Sequence, residues 1–187
     1  GCTLLFFAGG ELIIVGVLCV LFAFLYTTGP YPLSYNGWGD ILVIVFFGFV
    51  PVGGTYYVQT LTWTPDVTVA SLVCGLLIDT LLVVNNYRDR EADARSGKRT
   101  VIVRFGEKFG RYFYLTLGIA ASLLCLFFLF EGHIYAALLP QLYLIPHFLT
   151  WRRMVNIYSG KKLNSILGET SRNMLLMGIL LSIGMVL

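Results

Sequence analysis

Long apolar stretches separated by short polar breaks run along most of the 187 residues. A bilayer core of about 30 Å takes about 20 apolar helical residues per crossing. Runs of roughly that length occupy residues 11–28, 40–58, 67–84, 111–130, 134–150 and 171–187. Gly29-Pro30 and Pro32 punctuate the end of the first. Residues 2–8 are too few to span, and Gly9-Gly10-Glu11 parts them from the next run with a turn and a charge. Residues 1–8 therefore read as the tail of a helix whose beginning lies upstream. The expectation is an all-α, polytopic transmembrane bundle of about six spans, forming one domain over residues 1–187. Its one extended polar connection, 85–110, is too short to fold alone and must pack on the helices.

All 13 Lys and Arg fall in two stretches. One runs from Arg88 through Arg90, Arg95, Lys98, Arg99, Arg104 and Lys108 to Arg111; the other holds Arg152, Arg153, Lys161, Lys162 and Arg172. Two expected spans separate them, so both fall on one face, and the positive-inside rule makes that face cytoplasmic. The opposite connections carry no Lys or Arg. A multi-pass protein of the cell membrane follows, with the 85–110 connection on the cytoplasmic side.

Composition agrees with this pattern. Hydrophobic residues make up 57% and charged residues 12%, about half the charged share of a soluble domain. Mean hydropathy is +0.80. The net charge of +3 makes no case for a nucleic-acid partner. Cys2, Cys19, Cys74 and Cys125 are scattered singly through apolar sequence and read as small buried hydrophobes, with neither disulfide nor zinc expected. Nothing in the sequence bears on oligomeric state.

The chemistry concentrates in NNYRDREADARSGKRT, residues 85–100. Asn85, Asp89 and Asp93 stand at i, i+4 and i+8. If the helix continues past the membrane, their oxygens line one face. Such a stripe suits Mg²⁺, which takes oxygen ligands and commonly bridges a few carboxylates to substrate phosphates. Gly97 then ends the helix, leaving Lys98 and Arg99 placed to neutralise phosphate oxygens. The same spacing also fits a solvated run of mixed charges pairing with one another.

These residues carry a resemblance. NNYRDREADARSGKRT is similar to the second aspartate-rich motif of the UbiA-type intramembrane prenyltransferases. In the form NNxRDxxxDxxxGKxT it looks most like the branch acting on 1,4-dihydroxy-2-naphthoate in menaquinone synthesis. YTTGPYPL at 26–33, GWGD at 37–40, GTYYVQT at 54–60, VRFG at 103–106 and LNSILGET at 163–170 support it. The resemblance implies a nine-helix bundle around a central cavity, in which two aspartate-rich motifs bind Mg²⁺ and a polyprenyl diphosphate. It implies that span 67–84 is the sixth helix and residues 1–8 the end of the third. Asp89 and Asp93 would then be catalytic. Asn85 would join them at the metal through the diphosphate, which Asn86, Arg88, Lys98 and Arg99 would also bind. The partners implied are polyprenyl diphosphate, 1,4-dihydroxy-2-naphthoate and the lipid bilayer. No first motif of the NDxxD kind occurs in this sequence, so the chain on its own is expected to be inactive.

Four residues are weaker candidates. Asp79 is a carboxylate inside a span, functional by default, with a hydrogen-bonded core residue as the alternative. Asp40 opens a span on the motif's side, where an ordinary helix N-cap is the alternative. Asn164 and Thr170 match the family's C-terminal pattern. Tyr56, Tyr57 and Gln59 fit an interfacial belt, and His133 and His147 have no acidic partner in sequence. Other readings are a UbiA-type enzyme with another aromatic acceptor, such as 4-hydroxybenzoate, or a non-catalytic transporter or scaffold. Against the hydroxybenzoate reading, the loop after Tyr26 lacks the basic pair usual in such enzymes. A CDP-alcohol phosphotransferase needs a DGxxAR run, and none is present.

Overall fold

The structure, a computed structural model, describes residues 9–187 as six helices with no strand among them. Residues 1–8, with Cys2 and the expected helix tail, lie outside the described residues. The helices are α1 (Glu11–Thr27), α2 (Gly39–Thr60), α3 (Pro65–Arg95), α4 (Val101–Leu129), α5 (residues 134–157) and α6 (Lys161–Val186). Four of these, α2, α3, α4 and α6, are long and apolar enough to cross a membrane, while α1 is apolar but only 17 residues long. Phe24 of α1 and Phe130 after α4 are exposed to 67% and 88%, as side chains facing lipid would be.

The boundaries depart from the hydropathy runs where charge sits on a helix. The polar connection expected over 85–110 is mostly helical. α3 carries on through Arg95, and α4 begins at Val101, leaving 96–100 as the link. Hydropathy marks where a helix leaves lipid, not where its hydrogen bonds stop. Thr64 caps the start of α3, its hydroxyl accepting from the Val67 N–H at 3.4 Å, with Pro65 at the first helical position. α4 starts earlier than residue 111 because Thr100 caps it, accepting from Val103 N–H at 3.2 Å. It bends at Gly106, whose φ of 86° interrupts the helix. α5 runs past residue 150 to Ile157, with a tight turn over Leu139–Tyr143 that includes Pro140. α6 is regular from Asn164 rather than residue 171.

α2 is not uniform. Its middle, Ile44–Gly53, is wound as a wide π-type helix that contains Pro51, a residue with no N–H to give. α2 meets α3 through two glycines. A Cβ on Gly48 would stand 2.5 Å from the Ser71 carbonyl oxygen, and one on Gly75 would stand 2.9 Å from Ile44 Cα. Small residues at such a crossing let two membrane helices approach backbone to backbone. Gly75 lies at this packing contact inside unbroken α3.

Two apolar clusters hold the bundle. One joins Val73 and Leu77 of α3 to Phe128, Tyr143 and Met177. The other lies beneath the polar end and joins Val83 and Tyr87 to Tyr114, Met154 and Ile166. Between them, His147 is buried with its ring stacked against Tyr114 and Tyr143, at 4.7 and 5.0 Å between centroids. Both its nitrogens are engaged, with the Tyr143 hydroxyl at 2.9 Å and the Leu115 carbonyl at 3.2 Å. It is a satisfied core histidine. Cys19, Cys74 and Cys125 are free thiols.

Candidate active site

α3 supplies the polar motif by running on past its apolar part. Because it stays helical to Arg95, Asn85, Asp89 and Asp93 share one side of its exposed end. Arg88 ties this side together. Its Nε donates to Asp89 Oδ1 at 2.7 Å, and one terminal nitrogen donates to Asp89 Oδ2 at 2.6 Å and to Asn85 Oδ1 at 2.8 Å. The other terminal nitrogen reaches Asn164 Oδ1 on α6 at 3.0 Å. The fork of a guanidinium is what allows one side chain to serve acceptors on three residues. The hydrogen bonds from Arg88 hold the Asp89 carboxyl below the usual carboxylate range, with the positive charges of Arg88 and Lys98 adding to the effect.

Lys98 arrives by helix-end geometry. Gly97 has a φ of 77°, the left-handed conformation that glycine adopts without strain. Its N–H bonds the Ala94 carbonyl at 3.2 Å, and the Lys98 N–H bonds the Asp93 carbonyl at 2.9 Å. This pair of bonds is the Schellman closure of a helix. It folds the chain back so that Lys98 Nζ stands 3.5 Å from the Asp93 carboxylate.

The link is also pinned from the side. The Arg99 N–H donates to the Tyr35 carbonyl at 2.7 Å, and the Arg104 guanidinium donates to the carbonyls of Asn36 and Arg99 at 2.7 and 3.1 Å. The loop before α2 is thereby fastened to the motif. Asn86 is buried and, with Tyr26, Ser34, Asp40, Lys98 and Thr100, lines a niche of about 10 Å³. This volume approaches what one water occupies. Arg99 itself is exposed.

The remaining candidates separate clearly. Asn164 is brought to the motif through Arg88. Thr170 is not: it is buried and bonds the Tyr114 hydroxyl at 3.0 Å. Asp40 is no N-cap, because Trp38 holds that position and Asp40 lies in the first turn with its side chain turned inward. Asp79, deeper in the bundle, is fully buried, and neither of its carboxyl oxygens has a hydrogen-bond partner among the described residues. Arg90, between the two motif aspartates, works structurally. It stacks over Tyr87 and Tyr158, pairs with Glu107 at 3.5 Å and donates to the Tyr87 carbonyl at 2.7 Å.

From Asn85 an apolar cavity of about 480 Å³ extends down α3, lined by Val43, Phe47, Ile78, Leu81 and Leu167. A second, of about 650 Å³, shares Ile78 and Ser171 with it and continues along α6 to Ile183. A polar head with a long apolar trough below it fits an amphiphile with an anionic end.

The two basic stretches meet at this one end of the bundle, as Arg88 bonding Asn164 and the Arg111 carbonyl accepting from Trp151 show. Among the described residues no three His, Cys, Asp or Glu side chains gather tightly enough to hold a metal ion by themselves. Two carboxylates and one amide oxygen are nevertheless the hard donors Mg²⁺ prefers, and Mg²⁺ is usually shared between a few carboxylates and substrate phosphates. The residues present therefore fit a metal held jointly with a diphosphate.

This chain belongs to the UbiA prenyltransferase family, which matches residues 1–179. It is 36% identical over 176 residues to a 1,4-dihydroxy-2-naphthoate octaprenyltransferase of Haemophilus influenzae, covering 92% of this chain and 56% of that protein. It is 42% identical over 123 residues to the Escherichia coli protein of the same name, covering 65% of this chain and 40% of that one. A UbiA prenyltransferase domain-containing protein 1 of Dictyostelium discoideum is 30% identical over 162 residues, 87% of this chain and 48% of its own length. The chain thus spans about half the length of these curated relatives. No solved structure matches it.

Proposed function

We propose that this chain forms the larger part of an enzyme that moves a polyprenyl group from its diphosphate to 1,4-dihydroxy-2-naphthoate, on the path to menaquinone, with Mg²⁺. The carrying observation is the acidic stripe Asn85–Asp89–Asp93, with Lys98 folded back beside it, at the mouth of the apolar trough. Naphthoate octaprenyltransferases among the relatives support the choice of acceptor.

In this reading the diphosphate sits above Asn85, and the prenyl tail lies down the trough between α3 and α6. Asp89 and Asp93 would hold Mg²⁺ together with the diphosphate, and the ion would supply charge neutralisation for the departing diphosphate. Lys98 leaves Asp93 for a phosphate oxygen, and Arg88, Arg99 and the Asn85 and Asn86 amides complete the anion's contacts. The apolar walls exclude water, which would otherwise capture the allylic cation. Attack by the electron-rich ring and loss of its carboxyl group follow. Two carboxylates make half of such a site. Acidic residues from outside these 187 positions complete it, so the chain alone inserts into membranes but turns nothing over. The motif end faces the cytoplasm, where both basic stretches belong by the positive-inside rule.

In the full-length protein, Asp89→Ala or Asp93→Ala abolishes prenyl transfer while membrane insertion stays normal. Turnover at the wild-type level in either variant would sink the assignment. Offering 4-hydroxybenzoate and the dihydroxynaphthoate side by side decides the acceptor.

A further inference from the structure

A further cavity, of about 500 Å³, lies between α5 and α6 at the end of the bundle that carries the basic stretches. It is not part of the trough. Ser171, Met174 and Gly178 of α6 line the trough, whereas Glu169, Arg172 and Asn173 line this cavity. The two therefore open on different sides of one helix. α5 supplies Arg152, Arg153 and Asn156 near its polar end, and Pro146 and Leu149 deeper down.

The floor of this cavity is fixed. Thr150, Glu169 and Asn173 are buried, and the Asn173 amide donates to the Thr150 hydroxyl at 2.9 Å, tying α6 to α5. Glu169 is paired with Arg153, which uses one of the three arginines. Arg152 and Arg172 are exposed and form no ion pair among the described residues, so two positive charges line the cavity uncompensated. Arginines at the end of a membrane span ordinarily reach singly for the headgroup layer. Here two unpaired ones converge from different helices on one concavity, with the Asn156 amide beside them. Toward the membrane interior the wall turns apolar. Leu142 of α5 and Leu176 of α6, exposed to 52% and 37%, continue the faces that carry Pro146 and Arg172.

We infer that this cavity holds the phosphate of an anionic phospholipid. The phosphate oxygens sit on Arg152, Arg172 and Asn156, and one acyl chain runs along Leu149, Leu142 and Leu176. A guanidinium fork matches phosphate oxygens in pairs, which an ammonium does not. Charge at the rim and apolar wall below fit a lipid better than a free anion, which would use only the rim. Basic pockets between membrane helices at this level take anionic headgroups for the same reason. The site stands without the prenyl-transfer reading, because it opens on another side of α6 from the trough and shares no lining residue with it.

The test uses full-length protein in nanodiscs of phosphatidylcholine with a minor share of phosphatidylglycerol, released into mild detergent and weighed by native mass spectrometry. Wild type keeps phosphatidylglycerol well above its share of the bilayer. Arg152→Gln combined with Arg172→Gln weakens that retention about 30-fold, roughly fivefold for each arginine withdrawn. Lys161→Gln combined with Lys162→Gln, at the same end but outside the cavity, leaves it intact. Both arginines are exposed and unpaired, so their exchange spares the Arg153–Glu169 pair and the fold. Should that variant fold poorly, the wild-type preference between the two lipids decides by itself. Phosphatidylcholine kept as well as phosphatidylglycerol would overturn the inference, and so would a lysine exchange as costly as the arginine exchange, the mark of diffuse attraction. Displacement of the lipid by millimolar inorganic phosphate would overturn it too, by showing a site for the free anion.

Discussion

Helix α3 carries acids at two depths barely three turns apart, and they live in different solvents. Asp89 and Asp93 stand on the part of the helix that has left the apolar layer, each beside a cation, with Arg88 forked onto Asp89 and Lys98 folded against Asp93. Asp79 lies within the apolar part, and neither of its carboxyl oxygens has a hydrogen-bond partner among the described residues. The upper acids lie among cations at the helix's polar end; the lower one is shut off from water. One side-chain type thus meets cations at one depth and apolar packing at another. The apolar boundary near Val84 decides which.

Substitutions can break that contrast. The largest effect belongs to the upper acids. Asp89→Ala lowers prenyl transfer by at least about 10³-fold, the scale of losing a main stabiliser of developing charge, measured as product formed by full-length protein in membranes. Next is Arg88→Lys, which keeps the charge but loses the fork linking Asp89, Asn85 and Asn164. A loss of about tenfold is expected, read mainly in KM for the diphosphate. Asn164→Ala removes one of those three acceptors and costs about threefold in the same assay. Smallest is Tyr114→Phe, which deletes the buried bond to Thr170. Activity is unchanged and stability falls by about 1 kcal/mol, seen as a lower unfolding midpoint in detergent. A tenfold loss of activity there would return Thr170 to the site.

Much of this was legible in the sequence. The i, i+4, i+8 spacing gave the stripe, and Gly97 gave the turn that sets Lys98 beside Asp93. The helical nature of 85–95 and 101–110 was not legible, because charges on a helix outside lipid look like a loop to hydropathy. Asp40 stood in sequence as a weak site candidate with a cap as the alternative, because a residue opening a span shows the same local pattern whether it caps or turns inward. Its burial depends on how closely α2 approaches α3, which Gly48 and Gly75 set. No single stretch of sequence contains that distance. Asn164 joined the motif through a bond spanning 76 residues, legible only as a family pattern.

The most direct measurement is Mg²⁺-dependent binding of a non-hydrolysable prenyl diphosphate analogue to full-length protein, compared between wild type, Asp89→Asn and Asp79→Asn. The account predicts binding by wild type and Asp79→Asn that chelation of Mg²⁺ abolishes, and none by Asp89→Asn. Binding that survives chelation, or that Asp89→Asn leaves intact, would contradict it.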